Sequence, residues 1–408
     1  MKRVVVTGAA GISSLGHDWK TIRGKMEAGL TGVRTMPEWD KYTELNTRLA
    51  APVTDFQTPA HYARKKIRSM GRVALLATVA TEQALENAGL LGDKCISDGS
   101  TGVAYGSSTG STESVRAFAE MLNNGDSRGI TATSYIRMMG HTTPVNVGLF
   151  FGITGRLIPS SSACTSGSHG IGYAYEAIKY GKQTLMVAGG AEELCPTEAC
   201  VFDTLYATSL RNDEPHLAPR PFDEEHDGLV IGEGATTIVL EELEHARARS
   251  VNIIAELIGF GTNCDAAHVT QPTADTMVVA MRLALQDAGL DAGAIGYISA
   301  HATATEKGDI TESHATHAVY GSNVPISSLK GHFGHTLGAC GALESWLSLE
   351  MMNSGWFAPT ANLDRVCEQC AELDYIMGTG RNIDCEYIVS NNFAFGGINT
   401  SLIFRRWS

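Results

Sequence analysis

Two nearly matching heptapeptides, "ALENAGL" at 84–90 and "ALQDAGL" at 284–290, constrain this chain more than any other feature. Each closes an apolar-periodic stretch, Val73 to Leu85 and Val278 to Leu285, with a glycine placed as a helix C-cap. Each is followed by a short loop and an apolar strand, "TGVAYGSSTG" from Thr101 and "GYISAHATAT" from Gly296. A strand ending in small residues and turning into a helix comes next. It reads "RLIPSSSACTSGSHGIGYAYEAIKYGK" in the first half and "VPISSLKGHFGHTLGACGALESWLSLEMM" in the second. Both halves finish with an apolar strand and a glycine pair, "TLMVAGGAEE" and "YIVSNNFAFGG". Four matches in one order, with the same element types, imply a duplicated α/β unit. The halves are 1–245 and 246–408, joined near Glu241–Val251. Chemistry is then expected at strand ends and helix starts facing one shared site.

The chain's 408 residues suffice for two domain-sized units, and 43% hydrophobic with 18% charged residues suits a well-buried soluble protein. A net charge of −13 argues against nucleic acid, whose phosphates need a basic face. An acidic partner would need a local basic patch. Arg64, Lys65, Lys66, Arg68 and Arg72 form the densest basic run, which reads equally as a solvated face. No stretch approaches the roughly 18 apolar residues of a membrane span, and Val4–Val6 is too short for a signal-peptide core. A cytoplasmic location is expected. The nine scattered cysteines read as free thiols. Cys367-Glu-Gln-Cys370 is a lone CxxC without a second pair or a nearby histidine, and reads as a loop; no metal site is expected.

The opening "VVVTGAAGISSLG" (4–16) imitates the first strand and phosphate loop of a nicotinamide-dependent reductase. The spacing is wrong: Ile12 and Ser14 stand where glycines should fall. Tyr175 and Lys179, a YxxxK pair with Ser162 thirteen residues earlier, imitate a reductase too, but they sit inside an amphipathic helix. The duplication has no place in a single dinucleotide-binding unit. The N-terminal glycines therefore read as a strand-to-helix turn.

"SSSACTSGS" is the most informative stretch. Cys164 falls between a strand and a helix, where the positive end of the helix dipole favours a thiolate, and small neighbours leave room for substrate. The bland reading is a buried small residue. The second half shifts the balance. "HATATEKGD" puts His301 at a strand end, and "KGHFGHTLGACG" puts Lys330, His332 and His335 at the turn matching that of Cys164. A thiol with two imidazoles is a constellation for acyl transfer followed by carbon–carbon bond formation.

The motifs "SSACTSG", "GGAEELC" (189–195), "RPFDEEHDGLVIGEGA" (220–235), "HATATEKGD", "LKGHFGHTLGACGALE" and "SNNFAFGGIN" (390–399) occur in one order. On them the chain resembles, over its whole length, the β-ketoacyl-acyl carrier protein synthases of the thiolase-like superfamily. The resemblance implies a duplicated thiolase-like fold with a layered α-β-α-β-α core. It implies that Cys164 takes an acyl chain as a thioester, while His301 and His335 promote decarboxylation of malonyl and stabilise the enolate. Lys330 would order the histidine region, and Thr303 and Thr305 would hold the pantetheine arm. Phe395 would gate the site, its backbone N–H joining that of Cys164 in the oxyanion hole. Thr270 and Phe393 complete the implied substrate-binding set, with Thr109 facing the acyl pocket. Asp309 and Glu312 read as internal charge partners or as the acidic start of a helix. Loss of carbon dioxide drives the reaction, so no cofactor is implied. The implied partners are acyl carrier protein, bearing phosphopantetheine-linked acyl and malonyl groups, and a second ketosynthase-like chain in a homodimer or heterodimer.

Several residues depart from the family pattern: Ala302 for glycine, Ala394 and Ile398 for glycine and threonine in the gating segment, His226 for arginine. Thr109 stands where a larger apolar residue is usual. An alanine at 394 is expected to restrict the gate, because glycine there would reach positive φ freely. These departures point towards synthases of aryl-polyene type pathways rather than housekeeping fatty-acid elongation. A non-catalytic chain-length-factor subunit would lack the nucleophile, whereas Cys164, His301 and His335 are all present.

Overall fold

The two repeats build two copies of one strand arrangement. The computed structural model describes residues 1–408. Its first-half strands are β1 (Val4–Ser13), β2 (Thr101–Gly106), β3 (Leu157–Pro159), β4 (Leu185–Glu192) and β5 (Gly234–Glu242). The second half contributes β6 (Ala255–Cys264), β7 (Tyr297–Ser299), β8 (Pro325–Ser327), β9 (Asp374–Tyr375), β10 (Tyr387–Ala394) and β11 (Ile398–Arg406). The spatial order is β9-β8-β7-β10-β11-β6-β1-β5-β4-β2-β3. Read outward from the joint, β1-β5-β4-β2-β3 repeats as β6-β11-β10-β7-β8. In each half the first two pairings are antiparallel and the last two parallel. The halves meet where Val4–Val6 pair with Ala255–Leu257.

Five helices make the layers: α1 (Arg72–Asn87), α2 (Ser166–Lys179), α3 (Ala274–Ala288), α4 (Glu306–Tyr320) and α5 (Cys340–Ser354). Helices α2 and α5 pack on each other and on strands of both halves, so they form the middle layer. Helix α1 covers β1 and β5 from outside, α3 covers β6 and β11, and α4 lies on α3. The result is the α-β-α-β-α sandwich of a duplicated thiolase-like fold. No helix is long and apolar enough to cross a membrane.

The middle layer corrects one reading. Helix α2 is not amphipathic: only Tyr173 and Glu176 escape burial, because sheets face it on both sides. Its YxxxK pair works as a tie. Lys179 Nζ donates to Tyr175 OH at 2.8 Å and pairs with Asp287 of α3, and Tyr175 OH donates to the Ile258 carbonyl at 2.9 Å. Ser162 lies elsewhere, bonded to His169 Nδ1 at 2.7 Å.

Of the N-terminal glycines only Gly16, bonded back to Ser13, lies in the expected strand-to-helix turn. Gly8 and Gly11 lie inside β1, which runs on to Ser13. A Cβ on Gly8 would sit 2.3 Å from the Ala84 carbonyl oxygen and 2.8 Å from Ala88 Cβ. Its counterpart Gly259 in β6 meets Ala284 O at 2.5 Å and Ala288 Cβ at 2.9 Å. Each glycine lets the repeated "AL..A" helix end settle on a bulged strand, the register breaking at Val6/Gly8 and across Leu257/Gly259. On the other face, a Cβ on Gly11 would strike the Trp346 ring of α5 at 2.4 Å. Close packing on both faces, not a phosphate, accounts for these glycines.

Candidate active site

Cys164 lies just before α2, next to the N-cap Thr165. Ala163 at φ +52° turns the chain so that the sulfur points back towards the second half. His335 answers it across the pseudo-symmetric boundary, with Nε2 2.9 Å from Cys164 Sγ. A first-half segment holds that histidine. Its N–H donates to the Val230 carbonyl at 2.7 Å, and its carbonyl accepts from Gly232 N–H at 2.8 Å. This gives the "GLVIGEG" motif a physical role: it clamps the backbone of His335.

His301 follows β7, its ring 5.1 Å from that of His335 and perpendicular to it. Two buried acids of α4 fix the turn after it. Glu312 accepts from His301 N–H at 2.8 Å and Ala302 N–H at 2.7 Å; Asp309 accepts from Thr303 N–H at 3.0 Å and Ala304 N–H at 3.1 Å. Both acids therefore act as internal partners of the His301–Ala304 backbone. Asp309 also accepts from Phe222 N–H at 2.7 Å and faces His226 Nδ1 at 3.4 Å, where an arginine was the usual residue. Burial pushes Glu312 up to about 8, against the pull of the His301 N–H and Lys330.

Beneath the imidazoles, fully buried Lys330 pairs with fully buried Glu344 of α5. Burial alone would lower Lys330, but Glu344, with smaller help from Cys340 and Glu312, holds it above its usual value. Burial pushes His301 and His335 well below the ordinary imidazole range, and Lys330 pushes them further the same way. Both rings are thus neutral at physiological pH. Burial likewise raises Cys164 to about 12, although Lys330 and the backbone N–H groups of Phe395 and Cys164 pull it down. The expected thiolate preference at the helix start is outweighed: the resting group is a thiol, because the residue is buried.

A cavity of about 480 Å³ opens over this floor. Cys164, His301, His335, Phe393 and Phe395 line it, with Thr270, Thr303 and Thr305 towards the mouth. The Thr303 and Thr305 hydroxyls are 2.9 Å apart. Phe395 packs on Phe202 with ring centroids 5.0 Å apart. The sulfur of Cys164 and one nitrogen each of His301 and His335 lie within 4.8 Å of one another, a spacing that a thiophilic ion could bridge. The buried Lys330 ammonium works against a second cation there.

Other expected residues fall elsewhere. Thr109 does not line this cavity; it is exposed, and its hydroxyl donates to the buried carboxyl of Glu198 at 3.0 Å. Arg72 leaves the basic run, because it is bonded bidentately to buried Glu233. Arg64, Lys65, Lys66 and Arg68 remain exposed. Cys367 and Cys370 are free thiols. Ala394 has no positive φ; it ends β10 in extended pairing with Ile398, and the left-handed positions are Gly396 and Gly397. Glu344 and Asn392 went unremarked in the sequence, since they reach the site only through tertiary packing.

These features place a buried thiol beside two imidazoles whose pKa burial lowers, on the floor of one cavity. Residues 1–246 match the family model "Beta-ketoacyl synthase, N-terminal domain", and residues 254–364 match "Beta-ketoacyl synthase, C-terminal domain". The chain is 36% identical over 414 residues to the 3-oxoacyl-[acyl-carrier-protein] synthase 2 of Vibrio harveyi, covering 99% of each chain. A crystal structure of a β-ketoacyl synthase from Burkholderia phymatum superposes with a TM-score of 0.99 at 61% identity, covering 100% of both chains. The ishigamide ketosynthase/chain length factor superposes with a TM-score of 0.91 at 29% identity, again over 100% of both chains. The chain belongs to the β-ketoacyl synthase family, acyl-transferring condensing enzymes.

Proposed function

We propose that Cys164, His301 and His335 carry the condensation, with Lys330 positioning the imidazoles, in a pathway that makes polyene or otherwise specialised acyl chains. The observation that carries the site assignment is His335 Nε2 at 2.9 Å from Cys164 Sγ, with a second neutral ring 5.1 Å behind it. As substrate enters, the thiol proton is released to water and the sulfur, hydrogen-bonded by His335 Nε2–H, attacks the acyl thioester carbonyl. The oxyanion meets the N–H groups of Cys164 and Phe395. The pantetheine sulfur then leaves, taking a proton from water. In the second step the bond from the malonyl α-carbon to its carboxylate breaks, and carbon dioxide departs. The enolate oxygen accepts hydrogen bonds from His301 and His335, and the α-carbon attacks the Cys164 thioester, expelling the thiolate. Neutral imidazoles suit this step, since a donor aimed at developing charge needs no prior protonation. Thr303 and Thr305 at the mouth hold the pantetheine arm, Thr270 and Phe393 line the path, and Phe395 gates it.

The departures at Ala302, Ile398 and His226 support the specialised pathway over housekeeping elongation. Acyl carrier protein is the donor, met by Arg64, Lys65, Lys66 and Arg68. A second ketosynthase-like chain, identical or related, covers the exposed apolar side chains Met121, Leu122, Tyr135 and Leu149. Intact-mass spectrometry with a panel of acyl-carrier thioesters tests the reading. Wild type should gain one acyl group, more readily from short or polyenoyl than from long saturated donors, and Cys164→Ala should gain none. Acylation of Cys164→Ala would overturn the nucleophile assignment, and a preference for long saturated chains would overturn the pathway.

A further inference from the structure

Beside the two imidazoles sits a side chain with no role in the chemistry described so far. Asn392 is fully buried at the end of β10. Its Nδ2 donates to Glu344 Oε2 at 2.7 Å and lies 3.5 Å from His301 Nδ1, with Cys340 Sγ at 3.8 Å as a weaker alternative acceptor. Gly341 makes room for the amide: a Cβ there would stand 2.7 Å from Asn392 Oδ1.

Which way the amide points follows from charge. Glu344 is paired with Lys330, so its outer oxygen needs a donor, and turning the amide over would set a carbonyl against a carboxylate. The NH₂ group therefore faces Glu344, and its second proton is left facing His301. An amide nitrogen only donates, so His301 Nδ1 must accept, and the ring proton must sit on Nε2. The groups facing His301 are Glu312, Lys330, His335, Cys164, Cys340 and Glu344. None of the acids among them bonds to its Nδ1.

We infer that Asn392 is a positioning residue that sets the tautomer of His301, through the chain Lys330–Glu344–Asn392–His301, so that Nε2–H is presented to the substrate carbonyl. The inference rests on the proposed role of His301 as a donor in decarboxylation. It adds the group that makes the ring a donor rather than a base.

The test uses the intact protein and malonyl-carrier thioester. Asn392→Asp replaces a donor by an acceptor, which draws the ring proton to Nδ1 and favours imidazolium. Carbon dioxide release should fall by about 10²–10³-fold, the cost of losing one such donor. It should also acquire a pH dependence between 6 and 8 that the wild type lacks. Acyl loading of Cys164 should remain within a few-fold of wild type. Should the aspartate variant not fold, the nitrogen-15 spectrum of histidine-labelled wild type, with the His301 signal identified by its loss in His301→Ala, decides alone. Protonated Nε2 and bare Nδ1 are expected, and a proton on Nδ1 overturns the inference. So does an Asn392→Asp enzyme that releases carbon dioxide at the wild-type rate with a flat pH profile. Wild-type release by His301→Ala would instead refute the donor role of His301, which separates the two failures.

Discussion

The two halves share strand order, pairing sense, a bulged first strand and a glycine under a repeated helix end, yet their equivalent positions carry opposite chemistry. At the start of α2 the first half offers Cys164 among serines, threonines and glycines. Before and within α5 the second half offers Lys330, His335, Cys340 and Glu344. Two buried carboxyl groups near the first helix start differ from the one near the second. The second half balances Lys330 against Glu344, whereas the first half buries Glu192 and Glu198 with no cation bonded to either. Burial raises Glu192 to about 7 and lifts Glu198 well above its usual range. A duplicated scaffold thus places two helix starts nose to nose. On the proposed roles, sequence divergence makes one a nucleophile and the other a donor set, kept neutral by burial first and by the neighbouring Lys330 ammonium second.

The largest expected effect breaks this division of labour. His301→Ala should still form the acyl-enzyme but lose release of carbon dioxide from malonyl-carrier by about 10²–10³-fold. Radiolabelled carbon dioxide capture beside intact-mass loading measures both halves' work in one sample. Equal loss of loading and release would show that the halves do not act separately.

Next comes the fully buried ion pair beneath the imidazoles. Glu344→Gln strands Lys330 as an uncompensated buried charge and should cost about 3–5 kcal/mol. Lys330→Met combined with Glu344→Leu should cost less than that single change, because no charge is left alone. Melting temperatures of the three proteins give the ranking. A double variant less stable than Glu344→Gln would mean that the pair itself, not the penalty of breaking it, holds the layer.

The first half can be probed by pH. The Cys164 thiol is raised to about 12, so below that value the thiolate fraction grows with pH. Alkylation by iodoacetamide should climb about tenfold per pH unit from 7 to 9 without a plateau. A plateau below pH 8 would show that the helix start outweighs burial.

Much of this comparison was legible in the sequence because its signals are local. The "ALENAGL" and "ALQDAGL" ends, the small residues around Cys164 and the strand-end position of His301 each lie within one short string. What was illegible depends on packing across the layers. Lys330 and Glu344 are separated by a 3-10 turn and two helical turns, and nothing nearby announces that they will be buried together. Gly8 and Gly11 look like loop glycines, because a bulged strand pressed on both faces uses the same residue for a different reason. Arg72 reads as part of a basic run until buried Glu233 claims it. Those same glycines provide the next prediction. Gly8→Ala and Gly259→Ala should destabilise by about 1–3 kcal/mol each, by overpacking equivalent contacts. Similar drops in melting temperature are expected, and a large disparity would break the structural equivalence.

The smallest effect concerns the glycine pair that ends each half. In the first half Gly189 and Gly190 lie inside β4, where a Cβ would meet the Thr236 carbonyl oxygen at 2.0 Å and that of Gly338 at 2.3 Å. In the second half Gly396 and Gly397, at φ +86° and +70°, form the turn between β10 and β11 beside Phe395. Only the second pair has the backbone freedom a gate requires. Ala394 precedes that turn in extended backbone, so glycine there gains nothing from positive φ and loses about 0.5–1 kcal/mol through chain entropy. Ala394→Gly should therefore leave the ratio of long saturated to polyenoyl acylation rates unchanged. Gly397→Ala, whose Cβ would fall 1.9 Å from Asp265 Oδ1, should alter it. A broadened ratio in Ala394→Gly would place the gate's limit at the strand end rather than at the glycine turn. The hinge would then belong to a position the first half also possesses.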